Sequence, residues 1–429
     1  MTTPLTVALL GGGTVGASVA QLLGEQADEL AARIGRPIVL QGVAVRNPEK
    51  ARPGVSADLV TTDVAGLAAS GADIVVEVIG GIEPAKTLIE TAIKNGSSVV
   101  TANKALLAAH GASLHALAEE HGVDLFYEAA VAGAIPLLRP LRESLAGDTV
   151  RRVLGIVNGT TNFILSKMYN DGANYETVLK QAQDLGYAEA DPTADVEGFD
   201  SAAKAAILAG LAFHTDVTSD DVYREGMSTV SADDIAAARS MDMVIKLLAI
   251  AELSDDNTGV IVRVHPAMIP VTHPLASVRD AFNAVFVEAE AAGDVMFYGR
   301  GAGGHPTASS VLGDVVVAAR NRISGSVDHS HSTYADLKVL AIGDAKTSYY
   351  LNLQVADEPG VLAAIANEFA KHEVSIQTVL QDGHDNSANL VITTHRASDK
   401  QLSETVDGLR GLSAVREVSG VMRVEGRAN

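Results

Sequence analysis

Six residues near the start of the chain, Gly11-Gly12-Gly13-Thr14-Val15-Gly16, constrain the fold more than any other stretch. They form G-x-G-x-x-G directly after the apolar run at 7–10 and open a helical pattern over 15–23. The first glycine permits a tight turn, the second lets the backbone approach a pyrophosphate, and the third lets strand and helix pack closely. The N–H groups at the helix start then face the phosphates. In the first strand–loop–helix unit of a chain this arrangement predicts a dinucleotide site, with Gly11, Gly13, Thr14, Val15 and Gly16 as its contact residues.

Up to residue 130 the pattern keeps its period. The short β-rich runs IVLQGVAV, ADIVVEVIG, SSVVTA and VDLFYE alternate with longer helical stretches. That alternation predicts a Rossmann dinucleotide-binding domain, a parallel sheet covered by helices on both faces. The second strand ends at Arg46-Asn47-Pro48-Glu49-Lys50, without the acidic residue that accepts from a ribose 2′-hydroxyl. Arg46 and Lys50 in that place suit a 2′-phosphate and point to NADP(H) over NAD(H), although both also read as solvated loop charges. Gly80 and Gly81 close the third strand, at the carboxyl end of the sheet where ligands bind, or simply turn the chain.

From 131 to 320 the texture is that of a mixed α+β domain, with the strand-like VRRVLGIV, Ala-rich helices, and further strand-like runs at 259–265 and 284–290. The helical stretch 306–320 follows a glycine cluster and is placed to pack back on the first domain. Residues 321–348 read as a linker whose apolar piece at 337–342 is a strand or an arm. Residues 349–429 repeat strand and helix in the order β-α-β-β-α-β, a ferredoxin-like unit.

Bulk properties narrow the chemistry. With 429 residues, 47% hydrophobic and 20% charged, the chain has material for two or three globular domains. It has no cysteine, which removes disulfides, thiol catalysis and thiolate zinc sites and leaves carboxylates, lysine, histidine, hydroxyls or a cofactor. A formal charge of −21 opposes nucleic-acid binding. No apolar run reaches membrane-spanning length, and Met1-Thr2-Thr3-Pro4-Leu5 lacks the marks of a secretory signal, so the expectation is a cytoplasmic protein with no membrane partner. The sequon Asn158-Gly159-Thr160 is then a coincidence. His265, His273, His305, His329 and His331 lack a metal-ligand spacing and receive no catalytic role.

Two lysines stand out. In GYAEADPTADVEGFDSAAK, residues 186–204, dense acids run into an apolar helical stretch. Asp200 and Lys204 are four apart and share a helix face, with Lys204 among residues that should be buried. A buried lysine needs a partner. The pair reads equally as an N-cap with a structural ion pair or as a catalytic couple. Lys104, in Thr101-Ala102-Asn103-Lys104 just past the fourth strand, is either an exposed lysine opening a helix or a group pointing into a cofactor cleft. The segment Asn158-Gly159-Thr160-Thr161-Asn162 caps a helix or lines that cleft.

The glycine loop, TANK, NGTTN, the 186–204 run and YGRGAGGHPTASSV together resemble homoserine dehydrogenase over most of residues 5–320. The resemblance implies reversible reduction of L-aspartate 4-semialdehyde to L-homoserine on the route to threonine and methionine. It implies Lys204 as the proton donor or acceptor, Lys104 near cofactor and substrate, and Glu189, Asp195 and Asp200 as substrate ligands. It also implies a sodium or potassium ion held by Glu128, Val131, Gly133 and Ile135, and a cofactor contact at Gly303. The C-terminal unit, with its loop Asp357-Glu358-Pro359-Gly360, resembles an ACT regulatory domain. That implies a homodimer or homotetramer with an amino-acid effector, L-threonine, or else an oligomerisation module without ligand. Two other readings fit the residues: another amino-acid dehydrogenase on this scaffold, and a non-catalytic nucleotide sensor.

Overall fold

The computed structural model describes residues 3–50, 52, 54–328, 333–384 and 387–426. The histidines at 329 and 331 lie outside them. The chain divides into two compact units: Met1–Gly159 with Ala203–Asp221 and Ala281–Leu337, and Thr160–Ala202 with Val222–Asp280 and Lys338–Asn429. The division follows long-range packing, so each unit draws on separated stretches of chain.

In the first unit, six parallel strands lie in the order Val60–Thr61, Ile38–Ala44, Leu5–Leu10, Ile74–Glu77, Ser98–Thr101, Leu125–Phe126. This is the doubly wound order, reversing beside the first strand, where dinucleotides bind. Because side chains alternate along a strand, Val7 and Leu9 enter one buried cluster with Val76 and Val100, while Ala8 and Leu10 enter another with Val75 and Val99. Both faces are therefore covered, as a parallel sheet requires. The helix Gly304–Ser324 supplies Ala308, Val311, Val315, Ala318 and Ala319 to the first of these clusters. A second, antiparallel sheet joins Val150–Ile156, Phe282–Ala289 and Gly293–Arg300.

The second unit contains the long antiparallel pair Met243–Leu253 and Gly259–Pro270. Alongside it the C-terminal residues form the ferredoxin-like unit, its strands ordered Val415–Val424, Lys346–Ala356, Ser387–Thr394, Ile376–His384. Tyr349, Leu351, Leu353 and Val355 alternate onto a core completed by Ile365 and Phe369 of the helix Val361–Lys371 and by Leu402, Val406 and Leu409 of Asp399–Arg410. A capping box, Ser398 with Gln401, starts the latter helix. The expected linker is partly structured: Lys338–Val339 pairs in parallel with Gly259 and Val260, and Arg423 and Val424 pair with Ala267 and Met268. Among the described residues no helix is long and apolar enough to cross a membrane.

Candidate active site

Each glycine of the first loop has a separate steric reason. A Cβ on Gly11, whose φ is +114°, would lie 2.9 Å from the carbonyl oxygen of Val78, and one on Gly16 would lie 1.9 Å from that of Gly11. Gly13 differs: a Cβ there would meet nothing within 4 Å. It is the N-cap of the helix Thr14–Glu25 and makes no side-chain cap, so the helix start is open to an anion. A second helix start converges here. Gly304 comes so close that its Cβ would sit 2.7 Å from Ser18 Oγ and 3.2 Å from Thr14 Cγ2. Gly303, with φ +129°, makes the turn before it. The donor set fits a dinucleotide pyrophosphate.

Arg46 and Lys50 are exposed on the loop after the second strand. That loop is fixed by an arginine that belongs to no motif in the sequence. Arg52 donates from Nε to the Gly12 carbonyl at 2.9 Å, and from its two terminal nitrogens to the carbonyls of Lys50 at 2.6 Å and Asn47 at 2.8 Å. One guanidinium thus ties the Arg46–Lys50 turn to the glycine loop.

Lys104 is the first residue of the helix Lys104–Glu120. It is set there by a chain of hydrogen bonds beginning at Glu77, which is fully buried. The Glu77 carboxylate accepts from the backbone N–H of Ile79 at 2.7 Å and of Gly80 at 3.0 Å, and from Thr101 Oγ1 at 2.6 Å. Thr101 Oγ1 accepts from the Asn103 N–H. Asn103 caps the helix through Leu106 N–H and donates from Nδ2 to the Gly81 carbonyl at 2.6 Å. Gly80 and Gly81, both at positive φ, are therefore the turn that this network holds. Nothing local marks Glu77 in the sequence, because its partners come from two strand ends.

Lys204 lies in the helix Phe199–Phe213 and is 9% exposed. Its Nζ donates to the main-chain carbonyl of Val157 at 2.6 Å, one residue past the strand Val150–Ile156. Asp200 stands one turn earlier in the same helix and is half-buried, as is Asp195, while Glu189 is exposed. The three acids belong to the second unit, and Lys104, Lys204 and the glycine loop to the first.

Glu128 is buried, and its side chain does something its sequence position did not disclose. The carboxylate accepts from three successive N–H groups, Leu137 at 2.5 Å, Leu138 at 2.7 Å and Arg139 at 2.9 Å. Its own N–H donates to Asp314, whose carboxyl burial pushes up to about 7 against the nearby Arg139. The Glu128 carboxylate is thereby occupied, so the cation expected from the sequence would have to be held by main-chain carbonyls of the loop at Glu128, Val131, Gly133 and Ile135. Ala132 and Gly133 both have positive φ in that loop, and a Cβ on Gly133 would lie 2.3 Å from the Gly301 carbonyl. Among the described residues no three His, Asp or Glu side chains converge on a metal position.

In the NGTTN segment, Asn162 is a fastener. Its Nδ2 donates to the Asp280 carbonyl at 2.8 Å, and its Oδ1 accepts from Lys246. His265 is buried, His273 caps the short helix Pro274–Ser277, and His305 is exposed.

Comparison with known proteins covers nearly the whole chain. A family model for homoserine dehydrogenase matches residues 136–316, one for the homoserine dehydrogenase NAD-binding domain matches 11–128, and one for the ACT domain matches 349–413. A homoserine dehydrogenase of Mycobacterium tuberculosis is 55% identical over 433 aligned residues, 99% of this chain and 98% of that protein. The crystal structure of a homoserine dehydrogenase from Thiobacillus denitrificans superposes with a TM-score of 0.93 at 40% identity, covering 99% of this chain and 98% of that one. A hyperthermophilic archaeal homoserine dehydrogenase in complex with NADPH gives 0.62 at 26% identity over 74% of this chain and 98% of that one.

Proposed function

The chain belongs to the homoserine dehydrogenase family and is an NAD(P)-dependent oxidoreductase acting on a CH–OH group; from that premise we propose that Lys204 exchanges the proton in the reversible reduction of L-aspartate 4-semialdehyde to L-homoserine. The observation that supports this is a buried ammonium whose direction is fixed by the Val157 carbonyl. A bound reduced nicotinamide supplies the hydride that adds to the aldehyde carbon. As the carbonyl electron pair moves onto oxygen, the Lys204 ammonium stabilises the growing charge and gives up its proton to it. In the reverse direction the neutral amine of Lys204 takes the hydroxyl proton. Lys104, held at its helix start by the Asn103 cap, lies near both cofactor and substrate in this reading. Glu189, Asp195 and Asp200 hold the ammonium of the substrate.

The cofactor favoured is NADP(H), with the 2′-phosphate on Arg46 and Lys50 and the pyrophosphate at Gly11, Gly13, Thr14, Val15 and Gly16. Gly80 and Gly303 flank it. The archaeal relative with NADPH bound is consistent with this choice. A sodium or potassium ion is held by carbonyls of the loop from Glu128 to Ile135. The ACT unit takes L-threonine as effector in a homodimer or homotetramer, and the protein works in the cytoplasm.

The decisive experiment replaces Lys204 by alanine. Turnover should fall by about two to four orders of magnitude, as for loss of a general acid, while NADPH affinity measured by fluorescence titration stays nearly unchanged. Near-normal turnover would exclude Lys204 as the acid.

A further inference from the structure

We propose that the cavity between the helix Gly159–Asp171 and the loop 271–279 binds a small oxyanion, a phosphate or a carboxylate, through Lys246, Arg279 and Ser166. The cavity spans about 690 Å³, part of it open to solvent, and is lined by Ser166, Tyr169, Asn170, Lys246, Ser277 and Arg279 among apolar neighbours, with no acidic side chain in its wall. In a chain of net charge −21 an acid-free, doubly cationic cavity is unusual.

Lys246 is 4% exposed, and both groups that accept from its Nζ are neutral: Asn162 Oδ1 at 2.8 Å and the Val278 carbonyl at 2.6 Å. Among the described residues no carboxylate pairs with it within 4.0 Å. A buried ammonium without a counter-ion is costly, and the usual remedy is a neighbouring Asp or Glu. Here the third donor position of the ammonium is left to the cavity. Ser166, 5% exposed, lines the same space with an Oγ that makes no hydrogen bond. Arg279 is exposed at the wall and offers a planar fork suited to oxyanions.

The electrostatics agree with the geometry. Burial pushes Lys246 down to about 7, Arg279 adds to the depression, and Asp280 opposes it. An anion between Lys246 and Arg279 offsets both depressing effects by direct attraction and favours the charged ammonium. Because Lys246 also grips Asn162, occupancy is felt by the NGTTN segment. The site shares no residue with the glycine loop.

Isothermal titration of the full-length enzyme, saturated with NADPH so that the dinucleotide site is filled, tests this with inorganic phosphate in one arm and acetate in the other. Saturable binding of at least one probe is expected, and the arm that binds identifies the source. Lys246→Met should weaken it about tenfold or more, the ordinary worth of a charged hydrogen bond, and Arg279→Gln severalfold. Absence of saturable binding in both arms, or equal affinity in wild type and Lys246→Met, overturns the proposal. Should Lys246→Met fail to fold, Arg279→Gln and Ser166→Ala decide, and unchanged affinity in both overturns it equally.

Discussion

Lys204 Nζ lies 2.6 Å from the carbonyl oxygen of Val157. The acceptor is backbone, so this bond orients the ammonium and ties the lysine helix to the chain just before Asn158. Exchanging Lys204 for methionine, which has nearly the same length and no charge, separates two roles. A structural lysine would show its loss as a lower Tm. A catalytic one would show a turnover loss of about a hundredfold or more with Tm nearly kept, and that second pattern is expected in parallel thermal melts and steady-state assays.

Gly13 and Gly16 should respond oppositely to alanine. The Cβ at position 16 collides with the Gly11 carbonyl at 1.9 Å. Gly16→Ala therefore costs stability, about 1–3 kcal/mol from forced backbone shifts, visible in urea unfolding. At Gly13 the Cβ enters open space, so Gly13→Ala keeps the wild-type unfolding midpoint and loses affinity for NADPH.

Glu77→Ala removes one carboxylate and leaves two N–H groups and the Thr101 hydroxyl without their acceptor. The Thr101 hydroxyl is the buried donor among them, and leaving it unpaired costs about 1–3 kcal/mol, with less from the two N–H groups of the exposed Ile79 and Gly80. Since the same network seats Asn103 ahead of Lys104, turnover should drop in whatever protein still folds. Glu77→Gln keeps an acceptor oxygen and should lie between.

The glycine loop, the parallel sheet and the helical placement of both lysines were legible in the sequence because each depends on spacing within one segment. Lys204 could be picked out as a charge in an apolar helical stretch. Glu77, Arg52 and Gly304 could not, since each meets a partner from another element: Thr101, the Gly12 carbonyl and Ser18 respectively. The role of the Glu128 carboxylate was not legible either: its three N–H donors, at Leu137, Leu138 and Arg139, come from a later turn. That Arg423 and Val424 extend a ladder begun at Ala267 and Met268 is likewise a long-range pairing with no local signal.

That ladder carries a prediction. Arg263 is fully buried and pairs with Glu252 and with Glu425, and Arg423 pairs with Asp399 and Glu225. Deleting residues 349–429 strips Glu425 from a buried guanidinium and exposes a strand edge. Loss of a buried partner costs about 3–5 kcal/mol. The truncated protein should be aggregated or unfolded by circular dichroism, so threonine inhibition is to be measured on the full chain.

His265 sets an acid limit. Burial, with Arg423 and then Arg263 adding to it, pushes its imidazole down to about 3. In the unfolded chain the ordinary value is about 6.5. Between these two values the unfolded state binds a proton that the folded state refuses, so stability is lost as pH falls through that window. Thermal melts from neutral to acid pH should decline less steeply for His265→Gln than for wild type; parallel declines would remove His265 from the account.

The claim that Lys204 handles the proton is tested most directly by a crystal structure with NADP and homoserine both bound. The account predicts Lys204 Nζ within hydrogen-bonding distance, about 2.7–3.2 Å, of the homoserine hydroxyl oxygen. A closed ternary complex with that oxygen well beyond reach of Lys204, and another acid or base in contact with it, would contradict the mechanism.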